Sequence, residues 1–292
     1  MFRKNGFFYG ICSLILFLGS CSSDDVSTKP TTPEKLPAET FMNVSYGNDP
    51  QQVYDIYLPE NRSSETTKVL ILIHGGGWTG GDKSEMTGFI DDLQKKHPSL
   101  AIVNMNYVLA TTSIPAFPDQ FLDVDRVIEQ LTSQKEELQI LPEFGLIGVS
   151  AGAHISLMYD YVYDTDDQVK MVCDIVGPTN FTDPFYAENP DFELALSLLV
   201  DESAYPTGTD YAAILSPALQ VSTASSPSIL FYGNQDPLVP LTNGQLLNSQ
   251  LNEADVPHDF TVYEGGHGNW SATSYEDLTV KLNAFITAHL GN

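Results

Sequence analysis

The sequence predicts an α/β fold in which helices flank both faces of a mostly parallel central sheet. Short apolar runs such as Val69–Ile73 and Phe144–Val149 have the length and continuous apolarity of strands buried in a parallel sheet. Segments with helical periodicity separate these runs, and strands that alternate with helices indicate a parallel sheet covered on both sides. The chain has 292 residues, of which 42% are hydrophobic, so it can form one domain with a sizeable core.

Each predicted element follows from its local pattern. Val53–Leu58 alternates apolar and polar residues, as an early antiparallel strand does. Residues 118–138 carry a broad apolar stripe at helical spacing. The other predicted strands are Val69–Ile73, 100–105, Phe144–Val149, 169–176, 228–232 and 259–263, and the other predicted helices are 84–96, 151–163, 241–251 and 273–290.

The alternation of strands and helices breaks between Pro178 and Pro227. Several further prolines interrupt this stretch, although residues 191–200 have the pattern of a helix. We expect a small cap here, inserted above the sheet between strands 6 and 7 of the fold. A surface excursion is the alternative, because long loops tolerate insertion at little cost.

Residues 1–20 have the pattern of a bacterial lipoprotein signal peptide. A basic start precedes an apolar run at 7–18, which is short for a membrane span but suits a signal peptide. The run ends in LGSC, which resembles the site where such signals are cleaved before a lipid-modified cysteine, here Cys21; an ordinary secretory signal is the alternative. Residues 21–40 are rich in Ser, Thr and Pro and predict a disordered tether to a folded domain at 41–292. The expected location is the outer membrane or cell surface of a bacterium, reached by a lipid anchor.

The charge of the chain limits its partners. The formal net charge of −25 at pH 7 argues against nucleic acid, because phosphate binding needs a basic surface. It also disfavours steering of anionic substrates. An acidic surface that keeps the protein in solution is the simpler interpretation.

The first motif with chemical meaning is GVSAG, at residues 148–152 between a predicted strand and a predicted helix. A sharp turn from strand to helix leaves no room for side chains at its flanks, and Gly148 and Gly152 meet that need. Ser150 would then be exposed at the carboxyl end of a strand, near the positive end of a helix dipole. Taken alone, the pentapeptide also fits a serine that caps a helix in a glycine turn.

The second motif, HGGGW, directly follows the strand at Val69–Ile73. Its three consecutive glycines leave backbone N–H groups free to turn toward a developing oxyanion. Gly76 and Gly77 are the expected donors, although the pair could be displaced by one position, and the N–H of Ala151 would complete an oxyanion hole. His74 is expected to shape the loop. A flexible turn before a helix is the alternative.

The third and fourth motifs each follow a late predicted strand. Asp236 stands in an Asn-Gln-Asp-Pro loop, and His267 stands in a loop with three glycines. A histidine that activates a serine needs an acid to orient it, and Asp236 is better placed for this than Asp174 or Asp183. Of the other histidines, His154 lies on the helix after the elbow and is expected to pack or bond locally. Asp236 also fits an ordinary turn residue.

Together the motifs resemble those of α/β-hydrolase carboxylesterases, and most closely the hormone-sensitive-lipase-like and bacterial feruloyl/acetyl-xylan esterase-like (BD-FAE-like) enzymes. The resemblance covers about residues 46–290. It implies a serine esterase in which Ser150 attacks the ester, His267 takes its proton and Asp236 orients His267. It also implies an acyl-enzyme, no metal or organic cofactor, and a small-molecule or polysaccharide-borne substrate, with acetyl or feruloyl esters of carbohydrate expected.

Two departures from the family pattern lie outside the predicted triad. The elbow lacks an acidic residue before the serine and has Ala153 where many relatives have glycine. The loop after Tyr107 reads Val-Leu-Ala where Arg-Leu-Ala is common. Either change could alter the surroundings of the site.

Two other functions remain open at this point. A serine peptidase of the prolyl-oligopeptidase type would have the same triad, but that family usually carries a propeller domain for which this chain has neither the length nor a repeat. A non-catalytic surface binding protein on a hydrolase scaffold is expected to have lost a member of the triad. No member is missing here.

Overall fold

An eight-stranded sheet forms the centre of the structure, a computed structural model that describes residues 36–291. The strands are β1 (Glu39–Ser45), β2 (Val53–Leu58), β3 (Val69–Ile73), β4 (Ala101–Met105), β5 (Phe144–Val149), β6 (Val169–Ile175), β7 (Ser228–Gly233) and β8 (His258–Tyr263). Their order across the sheet is β1-β2-β4-β3-β5-β6-β7-β8. β2 pairs antiparallel with β1 and β4, and all other neighbours are parallel. The predicted mostly parallel sheet is confirmed.

Helices cover both faces of this sheet, as predicted. They are α1 (Thr87–Lys96), α2 (Asp119–Ser133), α3 (Lys135–Leu138), α4 (Ala151–Met158), α5 (Pro184–Ala187), α6 (Pro190–Leu199), α7 (Tyr211–Ile214), α8 (Leu241–Glu253) and α9 (Ala272–His289). Alternate side chains of β3 point to opposite faces. Val69, Ile71 and Ile73 pack in a core shared with α2, α4 and α8, whereas Leu70 and Leu72 pack in a second core shared with α1 and α9. This two-sided burial explains why β3 is apolar throughout.

The folded region begins earlier than the sequence predicts. β1 starts at Glu39 and pairs with β2, so the boundary at residue 41 falls inside a strand. β1 was not predicted because it is an edge strand with almost every side chain exposed, and it is interrupted by a bulge between Phe41 and Val44. Such a strand has no buried face and therefore no apolar alternation.

The predicted signal peptide, its Cys21 and most of the predicted tether lie outside the described residues. Within 36–291, none of the helices combines the length and the apolar character that crossing a bilayer requires.

The segment between β6 and β7 forms the expected small cap, built from α5, α6 and α7. Its helix α6 is fixed to the body of the domain by backbone hydrogen bonds. The carbonyl of Leu199 accepts the amides of Ala116 and Phe117, each at 2.8 Å, and the amide of Asp201 donates to the carbonyl of Phe117 at 2.8 Å. The chain enters the cap at the carboxyl end of β6, which is the edge of the sheet where ligands bind in open α/β folds.

A buried ion pair connects the segment after the HGGGW loop to the sheet. Lys83 Nζ lies 2.5 Å from Asp55 Oδ2, and these residues are only 8% and 2% exposed. We expect Lys83→Met to lower the free energy of unfolding by about 3–5 kcal/mol, because it leaves the Asp55 carboxylate buried without its partner. Urea unfolding followed by circular dichroism measures the change.

Lys281→Met is the matched control for Lys83→Met. Lys281 pairs with Asp277 at 2.7 Å, but both side chains are more than 40% exposed, so its loss should change stability by about 0–1 kcal/mol. Equal losses in the two variants would contradict a special role for the buried pair.

Candidate active site

Ser150 occupies a sharp turn between β5 and α4. Its φ of 55° and ψ of −117° are unusual for a residue with a side chain, and its amide donates to the carbonyl of Ile175 at 2.8 Å. The turn is tight on both sides. A Cβ on Gly148 would lie 2.4 Å from the amide nitrogen of Ala153, and one on Gly152 would lie 2.2 Å from the carbonyl oxygen of Ile73. The glycines of GVSAG are therefore required by the geometry of the turn.

The hydroxyl of Ser150 begins a chain of hydrogen bonds. Ser150 Oγ lies 2.8 Å from His267 Nε2, and His267 Nδ1 lies 2.6 Å from Asp236 Oδ2. A carboxylate can only accept, so Nδ1 is the donor to Asp236, and Nε2 is left to accept the proton of the serine hydroxyl. Ser150, Asp236 and His267, which lie far apart in the sequence, are therefore neighbours in the structure.

Asp236 is held in a well-defined orientation. Its side chain is fully buried, and its other oxygen, Oδ1, accepts the amides of Leu238 at 2.8 Å and Val239 at 3.0 Å. Burial by itself would raise the pKa of this carboxyl, but the hydrogen bonds from His267 and from the two amides outweigh it and lower the pKa. Asp236 is therefore a carboxylate at neutral pH, as a partner of a histidinium must be.

The loop that carries His267 is fixed by its own side chains. The amide of Gly266 donates to Asn269 Oδ1 at 2.7 Å, and the indole of Trp270 donates to the carbonyl of Gly266 at 3.0 Å. The amide of Gln235, next to Asp236, donates to the carbonyl of Gly265 at 2.8 Å and so ties this loop to the loop after β7. The roles of Asn269 and Trp270 were not predicted, although both directly follow His267 and its glycines in the sequence.

The HGGGW loop lies directly against the serine turn. A Cβ on Gly75 would lie 3.3 Å from the Cβ of Ser150. Gly76 and Gly77 have φ values of 111° and 57°, and within residues 36–291 their amides donate to no protein acceptor. The amide of Ala151, at the first position of α4, also has no protein partner in this range, as expected at a helix N-terminus. Three unpaired donors thus lie on segments adjoining Ser150.

The structure describes two cavities that share Gly77 as a wall. The first, of about 520 Å³, has Ser150, His267 and Glu85 among its lining residues. The second, of about 570 Å³, lies between the HGGGW loop and the cap, and no charged residue lines it. Its walls include Trp78, Ala110, Phe181, Phe192, Leu196 and Leu199. The hydrogen-bonded pair of Ser150 and His267 therefore has an apolar space beside it.

The two other acids considered from the sequence have different partners. Asp183 accepts the amide of Phe185 at the start of α5 and the hydroxyl of Thr242. Asp174, which is completely buried on β6, bonds to Tyr232 and Gly177. Neither is hydrogen-bonded to His267.

Asp174 is arranged to be a neutral acid. The hydroxyl of Tyr232 lies 2.5 Å from Asp174 Oδ2 and 2.7 Å from the carbonyl of Gly177, yet it has only one proton to donate. If Asp174 is protonated, it donates to the tyrosine oxygen while Tyr232 donates to the carbonyl, and both contacts are satisfied. Burial raises the pKa of Asp174 to about 7.

This raised pKa makes stability depend on pH. Between pH 4 and 7 the folded state keeps a proton that the unfolded state releases, so the contribution of Asp174 to stability falls as pH rises through this range. We expect Asp174→Asn to raise the free energy of unfolding at pH 8 by on the order of 2 kcal/mol and to change it little at pH 4.5. The new amide would donate to Tyr232 in place of the acid. Thermal unfolding at the two pH values measures the difference.

Asp255→Asn is the control for removing one negative charge, because Asp255 is exposed. Its effect should be small at both pH values. If Asp174→Asn lowered the stability at pH 8, the side chain of Asp174 would have to be a carboxylate in the folded protein.

Sequence reasoning missed the environment of His154 in part. It packs against aromatic rings such as Phe117 and Phe121, as the expectation of packing allows, but its side-chain hydrogen bonds are not local. Trp78 Nε1 donates to its Nδ1 at 3.3 Å, and its Nε2 lies 2.8 Å from the carbonyl of Leu215. His74, as expected, lies in the loop, where its ring stacks on Tyr107 and its Nδ1 lies 2.7 Å from the carbonyl of Gly75. Burial lowers the pKa of His74.

Known proteins share this fold and sequence pattern. The BD-FAE family model matches residues 54–251, which is more than half of the chain. Esterase LipC of Mycobacterium tuberculosis is 22% identical over 87% of this chain and 70% of its own. A truncated form of a carbohydrate esterase from gut microbiota superposes with a TM-score of 0.66 at 20% identity, covering 87% of this chain and 98% of that one. An acetyl ester-xyloside bifunctional hydrolase from Caldicellulosiruptor lactoaceticus has a TM-score of 0.64 at 18% identity, covering 88% and 98%.

The matches differ in how much of each relative the chain covers. The chain spans 70% of LipC but only 38–58% of the length of seven further curated relatives. The solved structures, at this level of identity, show the shared α/β-hydrolase fold. The family match covers the sheet from β2 to β7 together with HGGGW, the serine turn and Asp236. The chain belongs to the BD-FAE family, and with it to the esterases of the α/β-hydrolase fold.

Proposed function

We propose that the esterase works through a catalytic triad of Ser150, His267 and Asp236 and forms an acyl-enzyme. The observation that carries this proposal is the continuous hydrogen-bond chain from Ser150 Oγ through His267 to Asp236, with distances of 2.8 and 2.6 Å. A serine hydroxyl is a weak nucleophile unless an adjacent base removes its proton. His267 is within reach to do so, and Asp236 fixes the tautomer that this requires.

The proposed reaction has two halves. In the first, His267 takes the hydroxyl proton as Ser150 attacks the ester carbonyl, and then gives it to the departing alcohol, leaving an acyl group on Ser150. In the second, His267 takes a proton from water, which attacks the acyl carbonyl, and returns that proton to Ser150 as the acid leaves. Asp236 stabilises the histidinium in both halves.

Two tetrahedral intermediates in this cycle carry a negative oxygen. The proposed oxyanion hole consists of the amides of Gly76, Gly77 and Ala151. Their support comes from proximity to Ser150 and from the lack of other protein acceptors for these N–H groups within the described residues. Fixed donors of this kind commonly contribute about 3–4 kcal/mol each to stabilising the transition state.

Acetyl or feruloyl esters of carbohydrate are the proposed substrates. The cavity around Ser150 includes the polar side chains of Glu85 and Tyr275 in its lining, whereas the neighbouring cavity is uncharged and large compared with an acetyl group. An aromatic acyl group suits the second cavity, and a sugar, which needs hydrogen bonds, suits the first. The names of the gut carbohydrate esterase and of the acetyl ester-xyloside hydrolase point to the same substrate class.

Labelling with a fluorophosphonate tests the nucleophile directly. The reagent should add one mass equivalent to the protein, and peptide mapping should find it on Ser150. A label on any other residue would refute the triad. Hydrolysis of p-nitrophenyl acetate, methyl ferulate and acetylated xylan then identifies the substrate, and activity on none of the three would refute the carbohydrate-ester assignment.

The proposal includes a lipid anchor at Cys21 that holds the enzyme at the outer membrane or cell surface. Its support is the LGSC sequence after an apolar run. In a bacterial host that makes lipoproteins, Cys21→Ala should move the esterase from the membrane fraction to the soluble fraction. An enzyme that stays in the membrane fraction after this change would rule out Cys21 as the anchor.

A further inference from the structure

His154 has a single protonation state that satisfies its surroundings. Its side chain is completely buried, its Nδ1 lies 3.3 Å from Trp78 Nε1, and its Nε2 lies 2.8 Å from the carbonyl of Leu215. An indole nitrogen can only donate and a carbonyl can only accept. His154 must therefore be neutral, with its proton on Nε2. Burial also lowers its pKa, to about 4.

Trp78 stands at the end of the HGGGW loop in a strained conformation. Gly76, Gly77 and Trp78 have consecutive φ values of 111°, 57° and 63°. The left-handed region suits glycine, but it costs a residue with a side chain on the order of 1–2 kcal/mol. Contacts of the Trp78 side chain must offset this cost.

Gly77, a proposed oxyanion donor, has little packing of its own. A Cβ placed on it would meet no atom within 4 Å. The position of its amide therefore depends on its chain neighbours. The next residue, Trp78, is held at two places. Its carbonyl accepts the amide of Ala110 at 2.9 Å and the side chain of Gln120 at 2.8 Å, and its indole donates to His154.

The same histidine contacts the cap. Leu215, which accepts the Nε2 proton, follows α7, and Phe181, another cap residue, packs against the rings of both Trp78 and His154 at centroid distances of 5.8 and 5.1 Å. His154 itself lies on α4, four residues after Ser150. One buried side chain thus joins the serine helix, the oxyanion loop and the cap.

We propose that His154 is a positioning residue that holds the Trp78 indole, and through it the Gly77 amide, in place for oxyanion stabilisation. The inference rests on the proposed function, because it assumes that Gly77 is an oxyanion donor. The Leu215 contact orients the imidazole so that Nδ1 faces the indole. The cap thereby takes part in forming the oxyanion hole without touching the reacting atoms.

Two conservative substitutions test the two side-chain hydrogen bonds of His154 one at a time. Asparagine places an amide oxygen near the position of Nδ1, so His154→Asn keeps an acceptor for Trp78 and loses the bond to Leu215. Glutamine places an amide nitrogen near the position of Nε2, so His154→Gln keeps a donor for Leu215 and loses the acceptor for Trp78. Trp78→Phe removes the same bond from the other side.

Steady-state kinetics distinguish a role of His154 in positioning the loop from a role only in stabilising the fold. His154→Gln and Trp78→Phe should each lower kcat for p-nitrophenyl acetate about tenfold with KM nearly unchanged, because they weaken an interaction made in the transition state. His154→Asn should retain most of kcat. The double variant should be no worse than either single variant, because both remove one bond.

A spectroscopic readout tests the geometry without relying on hydrolysis. The chain has two tryptophans, and the indole of Trp270 donates to Gly266, so it serves as an internal reference. In the ¹⁵N-labelled protein, His154→Gln should remove the hydrogen-exchange protection of the Trp78 indole and shift the Gly77 amide resonance. His154→Asn should do neither.

Phe121→Leu is the control for disturbing the buried cluster, because Phe121 packs against His154 at 5.7 Å and belongs to the core. It should lower the melting temperature without lowering kcat. Unchanged kcat in folded His154→Gln, or an unshifted Gly77 resonance, would overturn the proposal. A parent protein that hydrolyses no ester would instead refute the proposed function, and the resonances would still decide whether His154 positions the loop.

Discussion

Replacing Ser150 with alanine is expected to lower kcat for ester hydrolysis by about 10⁴–10⁶-fold. The substitution removes the hydroxyl that lies 2.8 Å from His267 Nε2, and so removes the nucleophile while leaving the loop able to bind substrate. KM should change little, because the ground-state contacts of the substrate remain. Steady-state kinetics on p-nitrophenyl acetate, with active-site titration of the parent, measures both values.

The triad should behave as a unit. His267→Ala leaves Ser150 without a base, so its loss of kcat should approach that of Ser150→Ala, and the double variant should lose no more than either. Ser133→Ala, at an exposed serine at the end of α2, is the control and should leave kcat unchanged. The mechanism would be contradicted if the double variant lost as much kcat as the two single variants combined. Activity retained by Ser150→Ala would contradict it as well.

The sequence predicts the interior of this fold better than its edges. β3 and β5 are buried on both faces, so they appear as continuous apolar runs with recognisable ends. β1 has no such signal, because its side chains face solvent and its stability comes from pairing with β2. Helices α5 and α7 have only four residues each, and bonds to distant segments hold them: Tyr186 of α5 donates to the carbonyl of Leu238, and His154 bonds to Leu215 at the end of α7.

The sequence predicts the three residues of the candidate site because each of them follows a strand. Ser150, Asp236 and His267 follow β5, β7 and β8, which run parallel and therefore present their carboxyl ends at one edge of the sheet. Order along the chain then suggests their roles. Hydrogen-bond partners are not visible in this way. Asp174 also lies near the end of a strand, and its bonds to Tyr232 and Gly177, where Asp236 bonds to His267, are what distinguish the two acids.

Contacts between distant segments were the least predictable part of the site. The bond between Trp78 and His154 joins residues 76 positions apart, and neither residue has a local pattern that suggests it. A tryptophan after three glycines and a histidine on an apolar helix each look like ordinary packing residues. Only the folded structure reveals that they meet beside the proposed oxyanion donors.

Asp236→Asn provides the sharpest test of the orienting acid, and we expect it to lower kcat by about 10⁴-fold. The amides of Leu238 and Val239 donate to Oδ1, so the asparagine oxygen should occupy that position and its NH₂ group should face His267. The NH₂ group would donate to Nδ1 and move the imidazole proton to Nε2. Nε2 could then no longer accept the proton of Ser150, even though every atom stays near its place.

The wrong tautomer can be observed as well as inferred. In ¹⁵N-labelled protein, the imidazole proton of His267 should be on Nδ1 in the parent and on Nε2 in Asp236→Asn, with similar melting temperatures. Asp183→Asn is the matched control, because asparagine caps a helix as well as aspartate does and Asp183 has no hydrogen bond to His267. If Asp183→Asn lost activity and Asp236→Asn kept it, the orienting acid would have been assigned to the wrong loop. The hydrogen bonds of Asp236 make the opposite outcome the expected one, since its carboxylate accepts the imidazole N–H of His267 and two backbone amides.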